Sequence, residues 1–271
     1  KRMSTSEYRA QNRGGIGVTA HKTKEEDYVE NMFVTSTHDD LLFFTNRGRV
    51  YCIKAYEVPE AQRTAKGRAI INLLMLSEGE KVTTVIPRSE GASGNLIMAT
   101  KKGLIKKTRL EEFASIRKVG KIAIHLLEGD ELIGVMVSSG EDDILIASHE
   151  GKAIRFSEGD VRNMGRESQG VRSMKLSADD YIVDMTIVKP NTQIITISEN
   201  GYGKRCDVEE YRLQSRGGKG VKAGVFNSKT GKLVALKQSI LDDDIMLIAD
   251  NGVIIRTPVE QISSLSRVSQ G

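Results

Sequence analysis

A loop that closes on glycine recurs at almost fixed spacing along this chain, and that periodicity limits the possible folds more than any other feature. The closing residues are Gly17, Gly67, Gly120, Gly170, Gly220 and Gly271, separated by 50, 53, 50, 50 and 51 positions. The fullest copies are Gln11-Asn12-Arg13-Gly14-Gly15-Ile16-Gly17 and Gln214-Ser215-Arg216-Gly217-Gly218-Lys219-Gly220, and the ten residues before each also correspond at the same offset of 203. A regular period of this size means stacked or radially arranged units.

The interior of one unit decides between those architectures. Leu41-Leu42-Phe43-Phe44-Thr45, a turn at Asn46-Arg47-Gly48, and Val50-Tyr51-Cys52-Ile53 read as a β-hairpin. The hairpin returns around Gly103, Gly151, Gly201 and Gly252, and full units add two strand-like runs such as 69–74 and 81–86. Four short strands per unit predict propeller-like blades. Helical repeats fit poorly, because the Val/Ile/Thr-rich runs are too short and a glycine turn interrupts each one. Six loops follow only five hairpins, so the terminal units are partial, and a chain opening on Lys in mid-repeat reads as a fragment of something longer.

Composition adds exclusions. With 40 basic and 36 acidic residues the formal charge is only +4, so a basic footprint requires the two signs to segregate. Cys52 and Cys206 form neither a CxxC nor a Cys/His cluster, which predicts a reducing compartment and no structural zinc. The absence of a long apolar run or signal sequence suggests a soluble cytoplasmic protein. His21, His38, His125 and His149 are scattered over different units, and no nucleophile stands with a base, so no catalytic or metal residues are assigned.

The charges keep phase with the repeat. Four residues after the turn glycine stand Lys107, Arg155, Arg205 and Arg256, with Arg2 equivalent by offset and Cys52 the exception, Lys54 lying two further on. The loops add Arg13, Arg63, Lys66, Arg68, Arg117, Lys118, Lys121, Arg166, Arg172, Arg216, Lys219, Lys222 and Arg267. Acidic groups follow at Glu25–Asp27, Glu78–Glu80, Glu128–Glu131 and Asp179–Asp180, while Asn227–Thr230 breaks the series. In a radial array this phase predicts a continuous basic track on one surface and an acidic one on another. Within Gln214–Gly220, glycines permit close backbone approach and converging N–H groups, Arg216 offers a two-pronged grip, and Lys219 a point charge. Such a loop would hold phosphates without reading bases. It is not a P-loop, since no Gly-Lys-Ser/Thr opens a helix after a strand.

A Gln-x-Arg-Gly-Gly-x-Gly box within fifty-residue repeats resembles the C-terminal domain of the DNA gyrase A subunit, of the bacterial type IIA topoisomerases. The similarity covers essentially residues 1–271, including Thr45-Asn46-Arg47-Gly48-Arg49-Val50-Tyr51. The resemblance implies an all-β, six-repeat β-pinwheel acting as one domain, with strands exchanged between four-stranded blades. It also implies non-catalytic binding of double-stranded DNA, wrapped with positive handedness to favour ATP-dependent negative supercoiling. The implied DNA-binding residues are Gln11, Arg13, Gly14, Gly15, Gly17, Arg49, Arg63, Lys66, Arg68, Lys107, Arg117, Lys118, Lys121, Arg155, Arg166, Arg172, Arg205, Gln214, Arg216, Gly217, Gly218, Lys219, Gly220 and Arg256. Implied partners are the rest of the gyrase A protein and the gyrase B protein in an A2B2 enzyme. No cofactor is implied for this domain, ATP and Mg belonging to the parent. The family places its essential box in the first blade, but Asn12 and Ile16 replace common basic residues there, so the fifth-unit box is expected to share the task. Two other readings are the C-terminal domain of the topoisomerase IV A-type subunit, with the same fold, and a protein-binding propeller.

Overall fold

A computed structural model describes residues 1–7, 32–62, 64–249 and 254–271. The hairpins form where predicted. They are β1 (Asp40–Thr45) with β2 (Arg49–Lys54), β4 (Asn95–Thr100) with β5 (Leu104–Arg109), β8 (Asp143–Ser148) with β9 (Lys152–Ser157), β12 (Gln193–Ser198) with β13 (Gly203–Asp207), and β16 (Asp244–Ile248) with β17 (Ile254–Pro258). Each of the first four takes a seven-residue antiparallel strand on its first member: β3 (Val82–Arg88), β7 (Leu132–Ser138), β11 (Ile182–Val188) and β15 (Leu233–Ser239).

The fourth strand comes from the next unit. Two-residue strands β6 (Lys121–Ile122), β10 (Val171–Arg172) and β14 (Val221–Lys222) pair with β2, β5 and β9 of the unit before them. The sheet orders are therefore β3-β1-β2-β6, β7-β4-β5-β10 and β11-β8-β9-β14, with β15-β12-β13 and β16-β17 smaller among the described residues. Of the two further runs expected as strands, 81–86 gives β3, while 69–74 gives only a 3-10 turn at Ile70–Asn72.

Hairpin strands of the interior sheets are apolar on both faces because each of those sheets lies between two others, whereas the last hairpin leaves Met246 and Ile255 exposed. Leu42 and Phe44 pack with Leu96, Met98 and Phe113, whereas Ile97 and Ala99 face Ile144, Ile146 and Phe156 on the other side. Phe44 and Phe113 meet edge to face at 5.7 Å between centroids. At one end of the sheets the long strands contact their counterparts, β3 with β7, β7 with β11 and β11 with β15. The box loops and short strands occupy the opposite sheet edge, away from this common centre.

Candidate nucleic-acid interface

The short strands set cations along that outer edge. Lys121, Arg172 and Lys222 are all exposed, one on each of β6, β10 and β14. Lys222 lies directly opposite Lys152 on β9, which is also exposed. Like charges facing across a ladder repel, and an anion between them relieves the repulsion. Lys66, Arg68, Arg117 and Lys219 are likewise exposed on the box loops, while Lys118 is exposed but pairs with Glu57 at 2.7 Å. Arg49 is half-buried beside the third box, 3.4 Å from Val119 O. Arg162 and Arg212, fifty residues apart at one phase, are exposed too and had escaped the sequence reading. Gln11, Arg13, Gly14, Gly15, Gly17 and Arg63 lie outside the described residues.

The phased basic residue of the second hairpin strand does not join this surface, which corrects the expected track. Lys107 is buried and donates to Glu158 O at 3.0 Å. Arg155 is ion-paired with Asp143 at 2.9 Å and donates to Tyr211 O at 3.2 Å and Val208 O at 3.4 Å. Arg205 donates to Ile262 O at 2.9 Å, and Arg2 to Val58 O at 2.8 Å. Each side chain thus bonds to backbone of the next unit's 3-10 turn region, stapling one blade to its successor. Phase was preserved because the seam repeats. Arg256 alone of this set stays largely exposed, bonded to Asp244 of its own hairpin.

The box arginine is also a staple. Arg166 reaches Ile122 O at 2.5 Å, Arg216 reaches Arg172 O at 2.6 Å, and Arg267 reaches Lys222 O, in each case the residue two past the preceding box glycine. In the fifth box the Gly217 N–H donates to Ser173 O at 2.8 Å, and Gln214 is turned so that its Oε1 is buried without a bond among the described residues. Gly220 and Gly170 are needed for the neighbouring sheet. Both have positive φ, and a Cβ on them would sit 2.4 Å from Ala153 O and 2.7 Å from Ile105 O respectively. Gly218 has no such constraint, a Cβ there lying 3.6 Å from Ile154 Cδ1. Of the expected nest, the Gly217 amide is engaged inside the fold and the Arg216 guanidinium is taken up by carbonyls, while Lys219 and the flanking cations face solvent.

Beneath alternate boxes lies a lysine. Lys1 donates to Gln62 O and Ala65 O at 2.9 and 2.6 Å, Lys106 to Ala123 O at 2.6 Å and to Arg166 O, and Lys204 to Ser266 O and Ser269 O at 3.0 and 2.7 Å and to Arg267 O. Tyr51 and Ile154 take this position under the third and fifth boxes. Burial pushes the Lys106 ammonium down to about 7, and the Arg166 charge acts in the same direction. An unfolded lysine titrates near 10.4, so between those two values the unfolded chain holds the extra proton and stability rises with pH, by up to about 1.4 kcal/mol per unit. Urea unfolding from pH 7 to 9 is expected to show that rise, and Lys106→Met to flatten it.

The acidic phase has a structural use as well. Asp130 and Asp180 accept from the turn amides of Lys102 and Glu150 at 2.9 and 3.0 Å, and buried Glu80 accepts from Thr45 and Tyr51 hydroxyls. In the fifth unit Thr230 O takes the Asn200 amide at 2.9 Å, which lets Asn227–Thr230 dispense with a carboxylate. Cys52 and Cys206 are buried, and burial pushes both thiols up to about 11.

Strand exchange between successive sheets and a cation on each outer edge strand define a blade-swapped β-propeller with a basic rim. A family model described as the DNA gyrase C-terminal domain, beta-propeller, matches residues 1–36, 39–89, 94–139, 142–189, 192–239 and 243–271, and the chain belongs to that family. It is 45% identical over 272 residues to the DNA gyrase A protein of Escherichia coli strain K12, and 42% identical over 275 residues to that of Staphylococcus aureus strain NCTC 8325. Each alignment covers 100% of this chain but 31% of the relative. A solved structure of a DNA gyrase A C-terminal domain aligns with a TM-score of 0.77 at 27% identity, over 100% of this chain and 89% of that one. The C-terminal domain of DNA topoisomerase IV aligns with a TM-score of 0.84 at 25% identity, over 92% and 79%.

Proposed function

We propose that residues 1–271 act as a single non-catalytic unit that binds duplex DNA along the outer edge and wraps it with positive handedness. The observation that carries this reading is the exposed cation on each successive outer strand, Lys121, Arg172 and Lys222. Bending a site of 20–30 base pairs by 40–90° costs of order 1–6 kcal/mol, so a wrap needs phosphate contacts repeated along the path. One cation per exchanged strand supplies that repetition, and neither a pocket nor a base-reading element is required.

In this proposal the wrap serves a gyrase of A2B2 composition, with the rest of the gyrase A protein and the gyrase B protein as partners, in the bacterial cytoplasm at the nucleoid. No cofactor is assigned to the chain, ATP and Mg serving other parts of the parent. The first box, outside the described residues, and the rim of the fifth contribute together. A topoisomerase IV role is the second reading, favoured by the higher TM-score to that domain. Relaxing closed circular DNA with a nicking-closing enzyme in the presence of this chain tests both. A positive linking-number change is expected. Binding without such a change favours the topoisomerase IV reading, and failure to bind at low salt overturns both.

A further inference from the structure

In three of the repeats, the residue that ends the 3-10 turn places a carboxylate at the rim of the next unit's box. Nine residues after the turn glycines Gly48, Gly103, Gly151 and Gly201 stand Glu57, Glu112, Asp160 and Glu210. Asp160 and Glu210 are exposed, and each sets a carboxylate oxygen on the backbone N–H of the box arginine of the next unit, Asp160 Oδ2 at 3.3 Å from Arg216 N and Glu210 Oε2 at 2.6 Å from Arg267 N. Glu57 occupies the third box through the Lys118 ammonium. The fold does not depend on the charges of Asp160 and Glu210 for this placement. Arg216 Nε holds the backbone O of Asp160 at 3.1 Å, and Arg267 Nε that of Glu210 at 3.0 Å, so the backbone stays fixed whatever the carboxylate does.

A carboxylate oxygen on a backbone N–H or an ammonium makes the same charge-assisted bond that a phosphate oxygen would make there. We infer that Glu57, Asp160 and Glu210 are built-in competitors for DNA phosphate, seated on box donors in the free protein and displaced when duplex binds. This rests on the outer edge being the phosphate-binding surface. DNA binding is then an exchange of anions at these loops, and the competitors hold affinity below what the cations alone would give. The corresponding residue of the last hairpin is Gln261, which carries no charge to compete.

The decisive comparison is between Asp160→Asn/Glu210→Gln and Glu111→Gln/Glu260→Gln in this chain. Both doubles remove two negative charges, but Glu111 and Glu260 are exposed residues one position earlier in the phase. Asn and Gln keep an acceptor oxygen whose bond to the amide is weaker than a carboxylate's. Duplex affinity is measured across a salt series, together with the Arg216 and Arg267 amide resonances. Asp160→Asn/Glu210→Gln is expected to bind about 10-fold tighter at about 0.1 M salt, with a slope steeper by up to about 1.8, two phosphates' worth. The control double should change affinity less than about 2-fold with its slope unaltered, and in the unaltered chain the two amides should shift when DNA is added. Equal gains in both doubles, or amides that do not respond to DNA, overturn the inference while leaving the DNA-binding surface standing. If the unaltered chain fails to bind duplex at low salt, the surface reading falls and this inference with it.

Discussion

Replacing Lys121, Arg172 and Lys222 together by alanine is expected to weaken duplex binding by about 10²–10³-fold at about 0.1 M salt. Each phosphate neutralised releases counterions and contributes about 0.9 to the slope of log affinity against log salt, so losing three lowers the slope by roughly 2.7. These side chains are exposed on two-residue strands whose backbone pairing survives the substitution, so thermal stability should change little. Affinity and salt slope measured by fluorescence anisotropy decide the matter. An unchanged slope would mean that phosphates do not lie along this edge.

Arg155→Met should produce the opposite pattern, a loss of stability without a loss of salt slope. The Arg155 side chain is 12% exposed and joins Asp143 of its own hairpin to Val208 O and Tyr211 O of the next unit. Removing one member of a largely buried pair leaves the other charge poorly solvated and costs about 3–5 kcal/mol, or roughly 10 °C of melting temperature for a chain of this size. Arg256→Met provides the contrast, because that side chain is 70% exposed, and exposed substitutions usually stay within about 0.5 kcal/mol. Calorimetry of the two variants, with salt-dependent binding measured well below melting, separates staple from surface. Equal melting temperatures would reject the seam role of Arg155.

Much of the fold was legible in the order of residues. Apolar runs around Gly48, Gly103, Gly151 and Gly201 give hairpins at those places because a positive-φ turn between β-branched segments has few alternatives. Strand exchange was harder to see. Lys121–Ile122 and Val171–Arg172 are too short to announce themselves, and their partners lie about seventy residues earlier in the chain. The site was legible only in part. Phase marked Arg155, Arg205 and Lys107 as repeated, but a repeated seam and a repeated surface leave the same mark in a sequence. Arg216 shows the same ambiguity, since a guanidinium fork suits a backbone carbonyl pair as well as a phosphate.

The sequence by itself determined the repeat, the hairpins and the places where cations stand, because periodicity and turn chemistry are local properties. Only the tertiary structure decided which cations face outward. A blade seam buries the side chains of one face of the second hairpin strand, whatever their charge, and gives them backbone carbonyls of the next unit as partners. The two-residue strand laid across the sheet's outer edge has no further neighbour, so Lys121, Arg172 and Lys222 remain in solvent, where a long polyanion can reach them.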